Sequence, residues 1–271
     1  MQLRERGFLQ LDDKVADYVS LPSGFHTVTL RQLMAHTSGL PREAPLDYME
    51  TLQFPSREVI MNSLGEVSLE ADPGTRYRYS NLGYALLAYI IEQITNSPYK
   101  QYVIDHILRP LDMYHSRYDL TDKHRSQAAI GYVVKDPPVP AGDVDLDIGG
   151  FASAGQPYSS VADMARFIAW QFSGDSNVLE INSRREMFTP LTSIENDAST
   201  ALGWGFTRTS NYVFVSQSGR TFGYSADLIL IPESRLGAAI LANLGIDPEP
   251  LSQLAQAVLE SLYLLLDDYD I

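Results

Sequence analysis

The chain has 271 residues, and 45% of them are hydrophobic, which is enough for one sizeable core or two closely joined lobes. Acidic residues outnumber basic ones by 34 to 20, and the net charge of −14 disfavours nucleic acid and anionic membranes as partners. The absence of cysteine excludes disulfides, thiol nucleophiles and zinc–thiolate sites. We therefore expect neither nucleic acid nor a membrane as a partner. The residues Met1–Arg6 do not form a secretory signal, so cytoplasmic and periplasmic locations both stay open.

The N-terminal residues indicate a helix that is already ending. Met1–Arg6 is typical of the last turns of a helix, with Gly7 as its C-cap, and six residues are too few to nucleate a helix alone. We therefore expect further elements upstream of Met1. A short helix is predicted from Thr29 to His36, ended by Gly39, and a second helical stretch is predicted to start near Ser56.

The strongest helical pattern runs from Leu82 to Ile94 and is apolar on nearly every face, which predicts a buried helix. Ser97 and Pro98 are typical of an N-cap and a first-turn proline, and predict a helix running to about Leu108. Residues 117 to 158 look irregular. Ser160 then predicts the N-cap of a further amphipathic helix.

The C-terminal third changes to alternating apolar runs separated by turn residues, which predicts an antiparallel sheet. The predicted strands are Trp204–Phe206, Tyr212–Gln217, Ala226–Ile231 and Leu236–Asn243. A final helix carries apolar residues on one face, and we expect this helix to pack on the sheet. That face holds Leu251, Leu254, Val258, Leu262 and Leu265. The fold class is therefore α+β, with one domain over 1–271, a helical lobe over about 20–170 and a sheet with its helix over about 200–271.

The candidate chemistry centres on Tyr79-Ser80-Asn81, which directly precedes the buried helix. A phenol can accept or relay a proton, and an amide two residues later can hold a substrate carbonyl. A tyrosine and an asparagine at this spacing occur often by chance, so the motif gains meaning only from its surroundings.

Those surroundings resemble the family of class C β-lactamases, D-alanyl-D-alanine carboxypeptidases (penicillin-binding proteins) and family VIII esterases. Each resemblance alone is weak, but the segments follow the family's order over nearly the whole chain. The similar segments are Leu33–Pro41 (L-L-x-H-T-S-G-L-P in the family), Asp72–Tyr84 (P-G-x-x-x-x-Y-S-N-x-G-Y), Pro110–Met113 (P-L-G-M), Ala154–Phe167 (G-G-x-x-S-T-x-x-D-x-A-R-F) and Gly219–Ser225 (G-G-T-P-G-F-S). The resemblance implies a β-lactamase-like fold and hydrolysis of esters or amides through an acyl-serine intermediate, with no cofactor.

The resemblance also implies roles for particular residues. In the family, a serine in an S-x-x-K motif attacks the acyl carbon, while its lysine and the Y-x-N tyrosine share the proton transfers. By position, Tyr79 would be the base or proton relay and Asn81 would contact a substrate amide. Gln217-Ser218-Gly219 would be the third motif, and the backbone N–H of Arg220 would donate to the oxyanion.

The third motif departs from the family because Gln217 stands where the family has lysine or histidine. Glutamine can donate a hydrogen bond to a carboxylate, but it carries no charge, and a hydrogen bond to a charged group is worth about 1.5–3 kcal/mol. This substitution weakens the case for β-lactams and D-alanyl peptides, which carry a carboxylate, and leaves neutral esters as plausible substrates.

The second departure concerns the nucleophile. In the family, the S-x-x-K helix leads into a stretch like Met1–Gly7, so the serine is expected before Met1, together with the first strands and first helix. The string from Ser97 to Lys100 matches S-x-x-K but follows the Y-x-N motif, and we interpret it as a helix start. Ser38 is interpreted as part of a structural loop. No G-x-S-x-G is present, which excludes a nucleophile elbow.

Three interpretations of the absent serine stay open: a coding start placed too late, a shortened paralogue that binds acylated or peptide-like ligands without turnover, or elements supplied by another chain. The apolar surface that missing elements would expose predicts self-association.

The five histidines show no metal-ligand spacing. The alternating Asp143, Asp145 and Asp147 fit a solvated acidic loop better than a calcium site, and no metal is expected.

Overall fold

The computed structural model describes residues 1–49, 51–134, 139–141, 147–195 and 197–268, with helical and β elements in the predicted α+β order. Asp143 and Asp145 lie outside the described residues. The α-helices are α1 (Gln2–Glu5), α2 (Leu30–Met34), α3 (Arg57–Ser63), α4 (Asn81–Thr95), α5 (Tyr99–Val103), α6 (Asp122–Arg125), α7 (Ala152–Gly155), α8 (Val161–Phe172), α9 (Ile181–Met187) and α10 (Glu249–Asp268). Short 3-10 turns cover Val15–Asp17, Ser23–Phe25, Leu64–Glu66, Gly149–Phe151 and Pro232–Ser234, and a π-helical turn over Ile104–Leu108 continues α5.

The main sheet is an antiparallel meander of six strands in sequential order. Its strands are β3 (Thr192–Ser193), β4 (Ala198–Thr200), β5 (Gly205–Arg208), β6 (Val213–Thr221), β7 (Tyr224–Ile231) and β8 (Leu236–Ala242). Two further short strands, β1 (Tyr132–Val133) and β2 (Val139–Pro140), pair with each other. The long hairpin of β6 and β7 forms the centre of the meander, since its register runs from Val215–Leu230 to Thr221–Tyr224.

Apolar residues are buried on both faces of the sheet and around α4. The helix α8 covers one face of the sheet through Met164, Phe167 and Ile168, and α10 covers the other through Ala255 and Leu259. The helix α4 is the centre of the largest buried cluster, which also takes in α2 and α3. The buried helix predicted over 82–94 is therefore confirmed, and it begins one residue earlier, at Asn81.

Side-chain caps explain why several helices begin where the sequence predicts. The hydroxyls of Thr29, Ser56 and Ser160 accept backbone N–H bonds in the first turns of α2, α3 and α8. The predicted cap at Ser97 is wrong, because Pro98 immediately precedes α5 and the carboxylate of Glu92 accepts the Tyr99 N–H at 2.6 Å. The helix α2 also ends earlier than predicted, at Met34.

The face that α10 turns to the sheet differs from the one predicted. Ala255 and Leu259 are fully buried against β6 and β7, whereas four of the five predicted face residues are exposed. These four are Leu254, Val258, Leu262 and Leu265. The helix is apolar on more than one side, so its pattern alone did not indicate which side packs. None of the described helices combines the length and hydropathy needed to cross a bilayer.

Candidate active site

The segment with Tyr79 leads directly into the first turn of α4. Ser80 has extended backbone angles, and its buried hydroxyl accepts the Gly83 N–H at 2.9 Å while donating to the carbonyl oxygen of Pro41 at 2.7 Å. The carbonyl oxygen of Arg42 accepts the N–H of Asn81 at 2.8 Å. Ser80 is thus an N-cap whose hydroxyl is fully used in structure, and Asn81 is the first residue of the helix instead of a loop residue.

His36 holds the segment around Tyr79 from both sides. It follows α2 with a left-handed backbone (φ 54°), and its carbonyl oxygen accepts the Arg78 N–H at 2.7 Å. Its ring Nδ1 lies 3.0 Å from the Ser80 backbone nitrogen. Since that N–H can only donate, Nδ1 accepts and the imidazole is neutral. Burial and the nearby Arg42 lower the pKa of His36 to about 4, which keeps the ring neutral at physiological pH.

The Tyr79 ring lies against an imidazole and a guanidinium. The ring of His36 stacks on it at 4.3 Å between centroids and 28° between planes. The guanidinium carbon of Arg42 lies 4.9 Å from the centre of the Tyr79 ring. Burial raises the pKa of Tyr79, Arg42 opposes that rise and Glu43 adds to it.

The side chain of Asn81 belongs to a separate hydrogen-bonded chain. Its Nδ2 donates to Glu43 Oε1 at 2.6 Å, and the Tyr48 hydroxyl donates to Glu43 Oε2 at 2.6 Å. Both oxygens of the Glu43 carboxylate are therefore occupied. One N–H of the Asn81 amide is bound to Glu43, and the amide keeps a second N–H and a carbonyl oxygen with which a ligand could interact.

The predicted third motif lies on a part of β6 that, among the described strands, pairs with β7 alone. The pairing of β5 with β6 ends at Ser216, while β7 continues alongside to Thr221. The Thr209 N–H donates to the Tyr212 carbonyl at 2.9 Å, so alternate residues from Tyr212 onward direct their N–H and C=O groups toward the β5 side. The N–H groups of Ser218 and Arg220 consequently point to that side, where no described strand pairs beyond Ser216.

A cavity of about 270 Å³ joins the two parts of the site. Tyr79 and His36 form one wall, and Gln217 and Ser218 form the other. The remaining lining residues are Ala35, Tyr77, Ile194, Thr200, Ala201, Trp204, Gly205 and Ser216. The side chain of Gln217 is exposed, and its Nε2 donates to the Ser218 carbonyl oxygen at 3.2 Å.

The predicted site residues therefore separate into two groups. Tyr79, Gln217 and Ser218 line one cavity, whereas Asn81, Gly219 and Arg220 are not among its lining residues. Asn81 is turned to Glu43, and Gly219 and Arg220 lie farther along the exposed end of β6.

Three neighbours of Tyr79 and Asn81 were not predicted from the sequence. They are His36, Arg42 and Glu43. All three lie within or just after the Leu33–Pro41 segment that resembles the family. The resemblance thus covered or adjoined all three, but His36 was predicted as the end of a short helix, and Arg42 and Glu43 were given no role.

The alternative nucleophiles take structural positions. Ser38 is fully buried, and its hydroxyl accepts the Leu40 N–H at 3.3 Å. Lys100 forms ion pairs with Asp119 and Asp147 at 3.0 and 3.2 Å. Asp147 also accepts the Gly149 N–H at 3.0 Å. Over the described residues, no three metal-binding side chains come together.

A family model described as Beta-lactamase matches residues 1–263. The chain belongs to the β-lactamase family. A human protein named for its likeness to β-lactamases is 31% identical over 258 residues, covering 89% of this chain and 50% of the human protein. Beta-lactamase-like protein 2 of Dictyostelium discoideum is 29% identical over 282 residues, covering 97% of this chain and 50% of that protein.

Solved structures share the fold. The octameric penicillin-binding protein homologue from Pyrococcus abyssi superposes with a TM-score of 0.82 at 27% identity, over 97% of this chain and 62% of that one. This β-lactamase-like chain thus spans about half the length of the two relatives and less than two thirds of the archaeal homologue.

Proposed function

We propose that this β-lactamase-family chain carries the proton-transfer and substrate-binding part of a serine hydrolase that acts on neutral esters or amides through an acyl-serine intermediate. The observation that supports this proposal is the cavity between Tyr79 and the end of β6, where Gln217 and Ser218 lie. In this proposal Tyr79 accepts or relays the proton of an attacking serine, and that serine belongs to an S-x-x-K motif outside these 271 residues.

The other groups have matching roles in the proposal. The backbone N–H of Arg220 points to the side of β6 where no described strand pairs with it, as an oxyanion donor would. Asn81 is not among the residues that line the cavity, so its proposed contact with a substrate amide requires its side chain to leave Glu43. Gln217 would contact the substrate without a charge, which favours neutral esters over ligands with a carboxylate.

A ligand-binding paralogue without turnover is the second candidate. It is compatible with a cavity whose lining residues, Tyr79 and Gln217 among them, belong to these 271 residues. Both candidates predict that a neutral ester or amide enters it. Trp204 lines the cavity and the chain's other tryptophan, Trp170, does not, so ligand entry can be followed by Trp204 fluorescence in a Trp170→Phe background.

Turnover separates the two candidates. The test is hydrolysis of p-nitrophenyl acetate, with fluorophosphonate labelling, by the 271-residue chain and by a longer chain whose upstream coding sequence supplies S-x-x-K. We expect neither turnover nor labelling from the shorter chain. We expect both from the longer chain, with activity about 10²–10⁴-fold lower after Tyr79→Phe because general acid–base catalysis contributes that much.

Two results would contradict the hydrolase. One is stoichiometric labelling of a serine within the 271 residues, which would place the nucleophile elsewhere. The other is a stop codon directly upstream of Met1 with no S-x-x-K in frame, which would leave the paralogue as the explanation.

A further inference from the structure

Arg42 lies where a cation can act on Tyr79, although the family's usual cation at the third motif is replaced by Gln217. Its guanidinium carbon lies 4.9 Å from the centre of the Tyr79 ring. Its side chain is 70% exposed and lies near the carboxylate of Glu43, with Nε 3.5 Å from Oε1. The guanidinium therefore stays charged and keeps most of its hydration while lying against the phenol.

The main chain fixes Arg42 at this place. Its carbonyl oxygen accepts the N–H groups of Asn81 and Leu82, at 2.8 and 3.2 Å, in the first turn of α4. Since Tyr79 lies two residues before Asn81, the backbone of Arg42 is bonded to the same short segment that its side chain covers. The backbone of Arg42 therefore lies close enough to this segment for its guanidinium to reach the Tyr79 ring.

Among the described residues, Arg42 is the cation that acts on Tyr79. His36 is neutral, because its Nδ1 accepts the Ser80 N–H and burial lowers its pKa to about 4. Across the cavity, β6 offers only the neutral side chains of Gln217 and Ser218. Glu43 raises the pKa of Tyr79 electrostatically. Tyr79 in turn raises the pKa of Tyr77 and of Tyr84.

We propose that Arg42 is the positioning residue that supplies positive charge to Tyr79, in a cavity where the third motif contributes the uncharged Gln217. The inference rests on the proposed function of Tyr79 in proton transfer. A phenol that gives up its proton becomes an anion, and a guanidinium at this distance favours the anion over the neutral phenol. Arg42 lowers the pKa of Tyr79 against the effect of burial, as this arrangement requires.

The experiment titrates Tyr79 itself and needs no turnover. With 3,5-difluorotyrosine at position 79 of the 271-residue chain, the phenol titrates closer to neutrality and is followed by ¹⁹F NMR. The variants are Arg42→Gln, which removes the charge, and Arg42→Lys, which keeps it. The matched control is Arg76→Gln. Arg76 is an exposed arginine that donates to the Glu70 carbonyl, and its substitution changes the net charge of the chain by the same amount as Arg42→Gln.

We expect Arg42→Gln to raise the titration midpoint by roughly half a pH unit or more relative to Arg76→Gln, because a unit charge about 5 Å from a phenolate has that effect even at the dielectric constant of water. The titration midpoint of Arg42→Lys should stay closer to that of the parent than the midpoint of Arg42→Gln does. The proposal is overturned if Arg42→Gln and Arg76→Gln titrate alike, or if Arg42→Lys shifts as far as Arg42→Gln. Failure of the longer chain to hydrolyse esters would instead refute the proposed function and leave this titration result standing.

Discussion

Replacing Ser80 with alanine tests whether the start of α4 is held as the structure indicates. The side chain is 1% exposed and its hydroxyl makes two hydrogen bonds, to the Gly83 N–H and to the Pro41 carbonyl. Loss of an N-cap costs about 1 kcal/mol. Loss of a second hydrogen bond costs about 1 kcal/mol more, so Ser80→Ala should lower the free energy of unfolding by about 2 kcal/mol.

The assay is urea unfolding followed by far-ultraviolet circular dichroism, with a thermal scan in parallel. A loss of 2 kcal/mol in a chain of this size corresponds to a fall in Tm of roughly 4–8 °C. The matched control is Ser56→Ala, because Ser56 caps α3 from an exposed position through one hydrogen bond at 3.4 Å. We expect that control to cost about 0.5 kcal/mol, the low end for a cap.

Equal losses for the two alanine variants would refute the reasoning, because the buried second bond of Ser80 would then contribute nothing. The same geometry also makes a chemical prediction. Since the Ser80 hydroxyl is buried and fully hydrogen-bonded, a fluorophosphonate should not label it, even though it lies next to Tyr79.

Three further predictions concern other parts of the chain. Gly39 has φ 77°, and a Cβ there would lie 2.0 Å from the Ala71 carbonyl oxygen. Gly39→Ala should therefore abolish soluble folded protein, and a yield of soluble protein equal to the parent's would contradict the structure. Burial raises the pKa of Asp227, so its carboxyl stays protonated to higher pH in the folded chain than in the unfolded chain. The free energy of unfolding therefore falls as the pH rises from the unfolded-state pKa to the folded-state pKa of this carboxyl. Asp227→Asn should therefore be more stable than the parent at pH 7 in urea unfolding, and this advantage should be lost below about pH 4. An equal difference in stability at both pH values would exclude the Asp227 carboxyl as its cause. Leu254 and Leu262 on α10 are 55% and 43% exposed, and we expect the chain to self-associate in light scattering through this apolar surface. The variant with both leucines replaced by glutamate should shift toward monomer, and a monomeric parent would refute this expectation.

The elements with local signals could be predicted from the sequence. The helix α4 is apolar on nearly every face, and Ser56 and Ser160 are N-caps directly before their helices. The four longest strands were predicted for the same reason, although β6 continues to Thr221 through the residues interpreted as a motif. In each case the residues that determine the element lie within it or beside it.

The errors come from contacts between distant residues. At the start of α5, the Tyr99 N–H is satisfied by the carboxylate of Glu92 on the preceding helix, which replaced the predicted serine cap. The packed face of α10 is chosen by the sheet, which buries Ala255 and Leu259. The strands β3 and β4 have two and three residues, too few to show an alternating pattern.

The candidate site divides in the same way. Resemblance to the family assigned Tyr79 and Gln217 to one site, and the two residues line one cavity. The partners of these residues were missed, because the contact of His36 with the Ser80 N–H joins positions 44 apart in sequence. Such a contact depends on how α2 and α4 pack together and leaves no pattern in either segment alone.

The groups that position Tyr79 all come from two short parts of the chain. His36 and Arg42 lie between α2 and α3, and the segment they hold leads into α4. The contacts of Tyr79 with His36 and Arg42 are made within the described residues of the 271-residue chain. The effect of Arg42 on the Tyr79 titration should therefore be the same in the 271-residue chain and in a longer chain that carries S-x-x-K. A large difference between the two would mean that the lysine of that motif, and not Arg42, sets the charge at Tyr79.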